Sequence, residues 1–166
     1  MSLEGAREAA REVLKAHGVT SAPVPVERIA RKLGVRVQYA PLDNDLSGMA
    51  HIRDGVVIVG VNLLHAPNRQ RFTLAHELGH VVLHRAILED NVHVDRVLLR
   101  DRDSSAGLYR EEIEANAFAS ELLMPTEFLD AILGGRQVVL DDDEEISTLA
   151  KKFRVSESAM RFRFFR

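Results

Sequence analysis

The feature that most restricts the fold of this chain is a helical segment, residues 68–84, that places two histidines among apolar residues. His76 and His80 are four residues apart, so a helix brings both imidazole rings to one face. Two neutral imidazoles on one face can bind the same metal ion. The surrounding leucines and valines predict burial on several sides, and a buried imidazole needs a polar partner or a metal ion.

The composition limits the kind of metal site to which this helix can belong. The chain of 166 residues contains no cysteine, which excludes disulfides, thiolate zinc sites, iron–sulfur clusters and cysteine nucleophiles. Any metal ion must therefore be bound by His, Asp or Glu. Glu77 lies beside the first histidine, where its carboxylate could take a proton from a water molecule activated by the metal ion. The pattern over residues 76–80 favours a hydrolase, but taken alone it also occurs in proteins that are not enzymes.

Catalysis by such a site requires a third ligand, because catalytic zinc commonly has three protein ligands and one open position. His84 is the nearest histidine, but a helix rises about 6 Å over four residues, which carries His84 a full turn beyond the pair. We therefore expect His84 to be structural or to lie at the rim. A second helical segment, residues 109–124, carries Glu112 on its small-residue face. Glu112 is the predicted third ligand, and Glu114 is the alternative.

Four further polar residues are candidates for supporting roles. Asn116 lies one helical turn after Glu112 and could hydrogen-bond a ligating histidine, which would fix the tautomer of that ring. Tyr109, His51 and Arg71 can each donate a hydrogen bond to an oxyanion, and their spacing does not select among them. The structural alternatives are a tyrosine at the edge of the core, a histidine in a strand and an arginine in a salt bridge.

The rest of the chain predicts an α+β fold, with helices packed on a small, mainly antiparallel sheet. Helices are predicted at residues 3–16, 26–33, 68–84, 109–124 and 125–133 and in two short C-terminal segments, and strands at 35–39, 48–53 and 56–61. Asp54-Gly55, between the last two strands, is typical of a two-residue hairpin turn. Residues 87–107 are rich in charge and predict a surface loop, with a short apolar stretch at Val97–Leu99.

The C-terminal residues 141–166 have the helix, turn and helix pattern of some DNA-binding motifs and are the most basic part of the chain. The net charge of −3 gives no overall attraction to nucleic acid, and the acidic run before the two helices would repel phosphate. Apolar residues in both helices predict packing on the main domain. We therefore expect a single domain over residues 1–166, and DNA contact through Arg161 and Arg163 is the less favoured interpretation.

The sequence gives no indication of a membrane segment. The first twenty residues carry charges throughout and lack an apolar block, so they do not resemble a signal peptide. The longest nearly apolar stretch, residues 56–64, has about nine residues, whereas a membrane-spanning helix needs about 20. We therefore expect a cytoplasmic protein that has no membrane partner.

Two motifs taken together resemble those of the ImmA/IrrE family of metallo-endopeptidases. The first is Arg71-Phe72-Thr73-Leu74-Ala75 followed by His-Glu-Leu-Gly-His, and the second is Glu-Ile-Glu-Ala-Asn-Ala-Phe-Ala-Ser-Glu-Leu-Leu-Met-Pro, which ends at Pro125. The resemblance covers most of the chain and implies a zincin-like core. It implies that His76, His80 and Glu112 bind zinc and that Glu77 is the catalytic acid and base. The spacing from Glu112 to Asn116 also resembles a Glu-x-x-Ala-Asp element of other glutamate-zincins, with Asn in place of Asp.

The resemblance further implies a substrate, namely a helix-turn-helix transcriptional repressor whose cleavage releases gene expression. One zinc ion per chain is expected, although two imidazoles and a carboxylate also accept manganese and other divalent ions. Zincins commonly bind the peptide as an added strand, and the hairpin at residues 48–61 could supply the sheet edge. The alternative function is a non-catalytic, metal-stabilised regulatory module that binds DNA or a repressor protein through its basic C-terminal helices.

Overall fold

The computed structural model describes residues 1–96 and 106–165 and shows helices packed on a four-stranded sheet, as the α+β prediction requires. The elements are α1 (Leu3–Ala16), α2 (Val26–Lys32), β1 (Val35–Ala40), β2 (Leu46–Arg53), β3 (Val56–Asn62), α3 (Pro67–Leu83), α4 (Arg85–Asp90), β4 (His93–Arg96), α5 (Ala106–Leu123), α6 (Thr126–Leu133), α7 (Asp143–Phe153) and α8 (Glu157–Phe164). No helix within these described ranges combines the length and the apolar character needed to cross a bilayer.

The sheet has the strand order β1-β3-β2-β4 and is mainly antiparallel. Strand β2 pairs antiparallel with both β3 and β4, whereas β1 and β3 are parallel. Asp54 and Gly55 form the predicted hairpin turn between β2 and β3, and both have positive φ angles, 51° and 76°. A two-residue turn with two positive φ angles matches the twist of the flanking strands, which explains the Asp-Gly sequence.

The prediction of a surface loop over residues 87–107 is wrong for the part of it that the structure describes. Residues 85–90 form α4, and residues 93–96 form β4, which pairs with β2 so that Ala50 lies opposite His93. The predicted apolar stretch at Val97–Leu99 lies outside the described residues. Strand β4 was missed because it has only four residues and alternates polar with apolar side chains only once.

The position of β4 also corrects the expected sheet edge. Both strands of the predicted hairpin have a neighbouring strand on each side. Strand β3 lies between β1 and β2, and β2 lies between β3 and β4. Over Leu46–Ala50 of β2, the hairpin therefore presents no free backbone edge to a peptide. Within the described residues, the edges of the sheet are β1 and β4, and β4 is the edge on the side of β2.

Helices α3 and α5 pack closely against each other and form the centre of the core. Leu74, Leu78, Phe118 and Leu122 are completely buried there. Gly79 allows the close approach, because a Cβ atom at this position would lie 3.1 Å from the Cα and carbonyl oxygen of Ala115. Glycine is unfavourable within a helix, and the close contact between the two backbones explains why it occurs here.

The two C-terminal helices pack on the same core, as their apolar residues predict. Ile146, Phe153 and Met160 are completely buried and belong to the same hydrophobic cluster as α3 and α5. Phe162 and Phe165 are among the apolar residues from which this packing is predicted, and for these two the prediction is wrong, because both are largely exposed.

The arginines proposed for DNA contact are engaged within the protein. Arg161 donates hydrogen bonds to the carbonyl oxygen of Leu140 and to Asp143. Arg163 donates to the Met124 carbonyl oxygen and to Glu121, whose side chain is buried. Guanidinium groups held in this way tie α8 to the rest of the fold, so the structure does not favour a DNA interface at these two residues.

Candidate metal centre

Helix α3 supplies two imidazole rings and one carboxylate from its most buried turn. Its first turn contains Pro67, whose missing N–H costs nothing there, and every residue from 73 to 81 is buried. His76 and His80 project from the same face, with 3.2 Å between their Nε2 atoms. Glu77 projects beside them and is completely buried.

Helix α5 brings a carboxylate to both rings. The side-chain oxygens of Glu112 lie 3.2 Å from His76 Nε2 and 3.3 Å from His80 Nε2. Glu114 points elsewhere, with its oxygens 2.9 Å from His84 Nε2 and 3.1 Å from Arg110 Nε. Of the two glutamates that the sequence offered as a third ligand, the structure therefore places Glu112 with the histidine pair.

Strand β4 contributes a third imidazole, His93, that the sequence analysis missed. Its Nε2 lies 2.7 Å from Glu112 Oε1, and its Nδ1 lies 3.2 Å from Glu77 Oε2. The ring also lies against that of His80, with 3.8 Å between ring centroids and an angle of 35° between the ring planes. The sequence pattern that could have identified His93 is weak: His93 and Asp95 are two residues apart, so a strand directs both to one face. In the structure Asp95 also lies close to His76 and Glu77.

Four side chains thus form one group, hereafter the metal cluster, whose ligand atoms all lie within 4.8 Å of one another: His76, His80, His93 and Glu112. When both rings are neutral and carry their proton on Nδ1, their Nε2 lone pairs face each other at 3.2 Å and repel unless a cation lies between them. Imidazole and carboxylate are the donors that zinc takes in cysteine-free sites. The residues present therefore fit a bound metal ion.

Hydrogen bonds behind the cluster orient its imidazole rings. Asn116 Oδ1 lies 3.0 Å from Nδ1 of His76, and His84 Nδ1 lies 3.2 Å from Nδ1 of His80. An amide oxygen only accepts, so His76 donates a proton from Nδ1 to Asn116, and its Nε2 faces the cluster. The structure therefore brings Asn116 to a candidate ligand histidine, as the sequence predicted, and it places His84 behind His80 with a side chain that is 8% exposed.

The electrostatics of the cluster favour a cation. Burial raises the pKa of Glu77 and lowers the pKa of His80 to about 3. Burial also opposes a proton on the other two rings, but hydrogen bonds with Glu112 raise the pKa of His76 to about 9 and that of His93 to about 10. Burial alone would raise the pKa of Glu112 too, yet hydrogen bonds from the three rings hold it well below its usual range. A firmly ionised carboxylate therefore lies beside an unprotonated imidazole.

One oxygen of Glu77 is the unpaired atom of the site. Glu77 Oε2 contacts His93, but Oε1 is buried and has no hydrogen-bond partner among the described residues. Gly48 of β2 makes room for this oxygen, since a Cβ atom at position 48 would lie 3.3 Å from it and 2.6 Å from Thr73 Cγ2. A buried carboxylate oxygen without a partner is costly, and a water molecule or substrate group would satisfy it.

The structure does not bring the three candidate oxyanion donors into the cluster. The side chain of Tyr109 is 63% exposed. Arg71 donates its hydrogen bonds to the carbonyl oxygens of Val24 and Arg154, which tie α3 to neighbouring segments. His51 lies three residues after Gly48 in β2, so its side chain is on the opposite face of the sheet from the glycine that faces Glu77.

Comparisons with known proteins agree with this fold. Residues 30–165 match the Peptidase_M78 family, described as the IrrE N-terminal-like domain. None of the curated proteins matches the chain. A solved structure of a "Mycobacterium tuberculosis transcriptional regulator" is similar, with a TM-score of 0.62 and 16% identity over 95% of this chain and 45% of that chain. At this identity the likeness shows the fold alone, and this chain spans less than half the length of that protein.

Proposed function

This chain belongs to the Peptidase_M78 family, and from that premise we propose that it is a zinc-dependent endopeptidase. The observation that carries the proposal is the convergence of His76, His80 and Glu112 from two helices beside the buried carboxylate of Glu77. Metal-assisted hydrolysis requires two components. One is a set of ligands that binds a cation, and the other is a carboxylate that can hold a proton.

We assign three ligands rather than four. His76, His80 and Glu112 would hold the zinc ion, since a catalytic zinc ion commonly keeps one coordination position for water. His93 then has a positioning role, because its two ring nitrogens contact the carboxylates of Glu77 and Glu112 and hold them apart. Manganese or another divalent ion would also fit two imidazoles and a carboxylate.

The reaction is hydrolysis of a peptide bond in which Glu77 carries the proton. When bound, zinc supplies Lewis-acid activation of a water molecule and of the scissile carbonyl group. Glu77 accepts a proton from the attacking water at Oε1, the oxygen without a partner among the described residues. The water oxygen bonds to the carbonyl carbon, the C–N bond breaks, and Glu77 returns the proton to the leaving amine. Burial raises the pKa of Glu77, which makes its carboxylate a stronger base.

The proposed substrate is an exposed segment of a helix-turn-helix transcriptional repressor. The support is the resemblance of both motifs to the ImmA/IrrE family, and a protein of similar fold is a transcriptional regulator. An extended peptide would pair with β4, the edge strand on the side of β2 that also carries His93. The tightly engaged Arg161 and Arg163 give the alternative of a DNA-binding module no support.

The test is cleavage of candidate repressors encoded near the gene for this chain. Each purified repressor is incubated with the zinc-loaded protein and with its Glu77→Gln variant, and mass spectrometry locates any new termini. We expect one cleavage site with the wild-type protein and none with the variant, although both bind zinc. Cleavage by the zinc-loaded variant at the wild-type rate would refute the role of Glu77.

A further inference from the structure

His84 and Glu114 form a buried pair behind the metal ligands, and the proposed reaction leaves both unused. His84 follows α3 one turn after His80, and its side chain is 8% exposed. Its Nε2 lies 2.9 Å from Glu114 Oε2, and the Glu114 side chain is 4% exposed. Burying a carboxylate and an imidazole costs free energy that the pair need not recover as stability. Such a pair is therefore a candidate for a functional role.

The second nitrogen of His84 faces a metal ligand. His84 Nδ1 lies 3.2 Å from Nδ1 of His80. An ionised carboxylate only accepts hydrogen bonds, so His84 donates from Nε2 to Glu114. A neutral imidazole then has its lone pair on Nδ1, where it accepts the proton of His80 Nδ1. That proton leaves the remaining lone pair of His80 on Nε2, the atom that faces His76 and Glu112.

We propose that His84 and Glu114 are positioning residues that hold the His80 ring with its Nε2 lone pair directed at the metal ion. The proposal rests on the metal site of the proposed function. The two ligand histidines are then oriented by different means, since His76 bonds to the amide oxygen of Asn116 and His80 bonds through a second histidine to a carboxylate. In both cases a partner on α5 fixes the tautomer of a ring on α3.

The packing of the two helices explains why this chain of hydrogen bonds can form. Gly79 is adjacent to His80 and Ala115 is adjacent to Glu114, and a Cβ atom at position 79 would lie 3.1 Å from the Ala115 backbone. Close backbone contact at this level brings Glu114 within reach of His84. The other Glu114 oxygen is held by Arg110, whose Nε lies 3.1 Å away, so the carboxylate has a fixed orientation.

Zinc affinity tests the proposal without any measurement of proteolysis. The full chain is titrated with zinc ions in competition with a chromophoric chelator. His84→Phe keeps a ring but removes both nitrogens, and we expect zinc affinity to fall about 10- to 100-fold. Glu114→Ala should cause a loss of the same order, whereas Glu114→Gln keeps an acceptor oxygen for His84 and should restore most of the affinity. Glu111→Ala removes a carboxylate of α5 that lies outside the metal cluster, so it is the matched control and should bind zinc like the wild-type protein.

A double-mutant cycle separates a chain of hydrogen bonds from independent effects. His84 and Glu114 act in series on His80. The double variant His84→Phe with Glu114→Ala should therefore lose no more zinc affinity than the single variant that loses more. Asn116→Ala acts on His76, so its loss should multiply with that of His84→Phe. Full multiplication of the losses at positions 84 and 114 would overturn the proposal.

The tautomers are measured directly by long-range ¹H–¹⁵N correlation spectra of the zinc-loaded wild-type protein. We expect the His84 proton on Nε2 and the His80 proton on Nδ1, and a His84 proton on Nδ1 would overturn the proposal. This measurement needs no variant, so it stands even where His84→Phe does not fold. A wild-type chain that takes up no zinc would refute the proposed function as well. Zinc uptake by the wild type with unchanged affinity in His84→Phe and Glu114→Ala would refute this inference alone.

Discussion

The two sides of the metal cluster are built in different ways. On one side, α3 and α5 supply His76, His80 and Glu112, which lie on two long helices in close backbone contact. On the other side, the four-residue strand β4 supplies His93, and it is joined to the fold by pairing with β2. On the helical side, spacing within α3 places the two histidines, and packing of α5 on α3 adds Glu112. The strand side depends on pairing between segments more than 40 residues apart in the sequence.

From this difference we infer different roles for the two sides. Side chains on packed helices cannot move apart without loss of the core, so the helical side is suited to hold the ion. A short edge strand is held by fewer contacts, and its imidazole touches the carboxylates of both the proposed base Glu77 and the proposed ligand Glu112. Loss of a helical ligand should therefore abolish binding, while loss of the strand histidine should mainly affect the orientation of Glu77.

The largest expected effect is at Glu112. Glu112→Ala removes the carboxylate that lies 3.2 and 3.3 Å from the two imidazole nitrogens, so the zinc content should fall from about one ion per chain to near zero. Metal analysis of the dialysed protein measures this directly. Glu111→Ala changes the neighbouring residue of α5 and should retain its zinc. Full zinc content in Glu112→Ala would show that the ion lies elsewhere.

A smaller effect is expected on the strand side, at His93. His93→Gln removes the imidazole that orients the buried carboxylate of Glu77, and we expect kcat/KM to fall about 10- to 100-fold while one zinc ion per chain remains bound. Val94→Thr, which alters the opposite face of β4, is the control. If His93→Gln lost zinc as completely as Glu112→Ala, then His93 would be a fourth ligand and the division between the two sides would be wrong.

The same contrast explains how much of the molecule the sequence predicted. The spacing of His76 and His80, the small-residue face that carries Glu112 and the Asp54-Gly55 turn are local patterns, and the structure contains the element that each predicts. The parallel pairing of β1 with β3 and the pairing of β4 with β2 depend on contacts between distant segments. His93 was missed for this reason, since its position beside Glu77 arises only when β4 joins the sheet.

Two glycines allow the contacts on either side of α3 to be compared by stability. Gly48→Ala would place a Cβ atom 2.6 Å from Thr73 Cγ2 and 2.8 Å from the Gly60 carbonyl oxygen, so we expect the free energy of unfolding to fall by about 1–3 kcal/mol. Gly79→Ala also meets backbone, at 3.1 Å from Ala115, but gains about 1 kcal/mol of helix propensity. Its net loss should therefore be the smaller of the two. Urea denaturation measures the free energy of unfolding of both variants. A larger loss for Gly79→Ala would mean that the contact between α3 and α5 adapts less easily than the contact between α3 and β2.

The smallest expected effect is at Tyr109, which belongs to α5 but lies outside the metal cluster. Its side chain is 63% exposed, so Tyr109→Phe removes a hydroxyl group that is accessible to water, and surface changes of this kind are usually within about 0.5 kcal/mol. We expect kcat/KM and zinc content to remain within about twofold of the wild-type values. A loss of kcat without a change in zinc binding would instead mean that Tyr109 donates a hydrogen bond to the oxyanion when substrate is bound. In that case α5 would supply a catalytic group as well as a ligand, and the helical side would take part in the chemistry that we have assigned to Glu77 and His93.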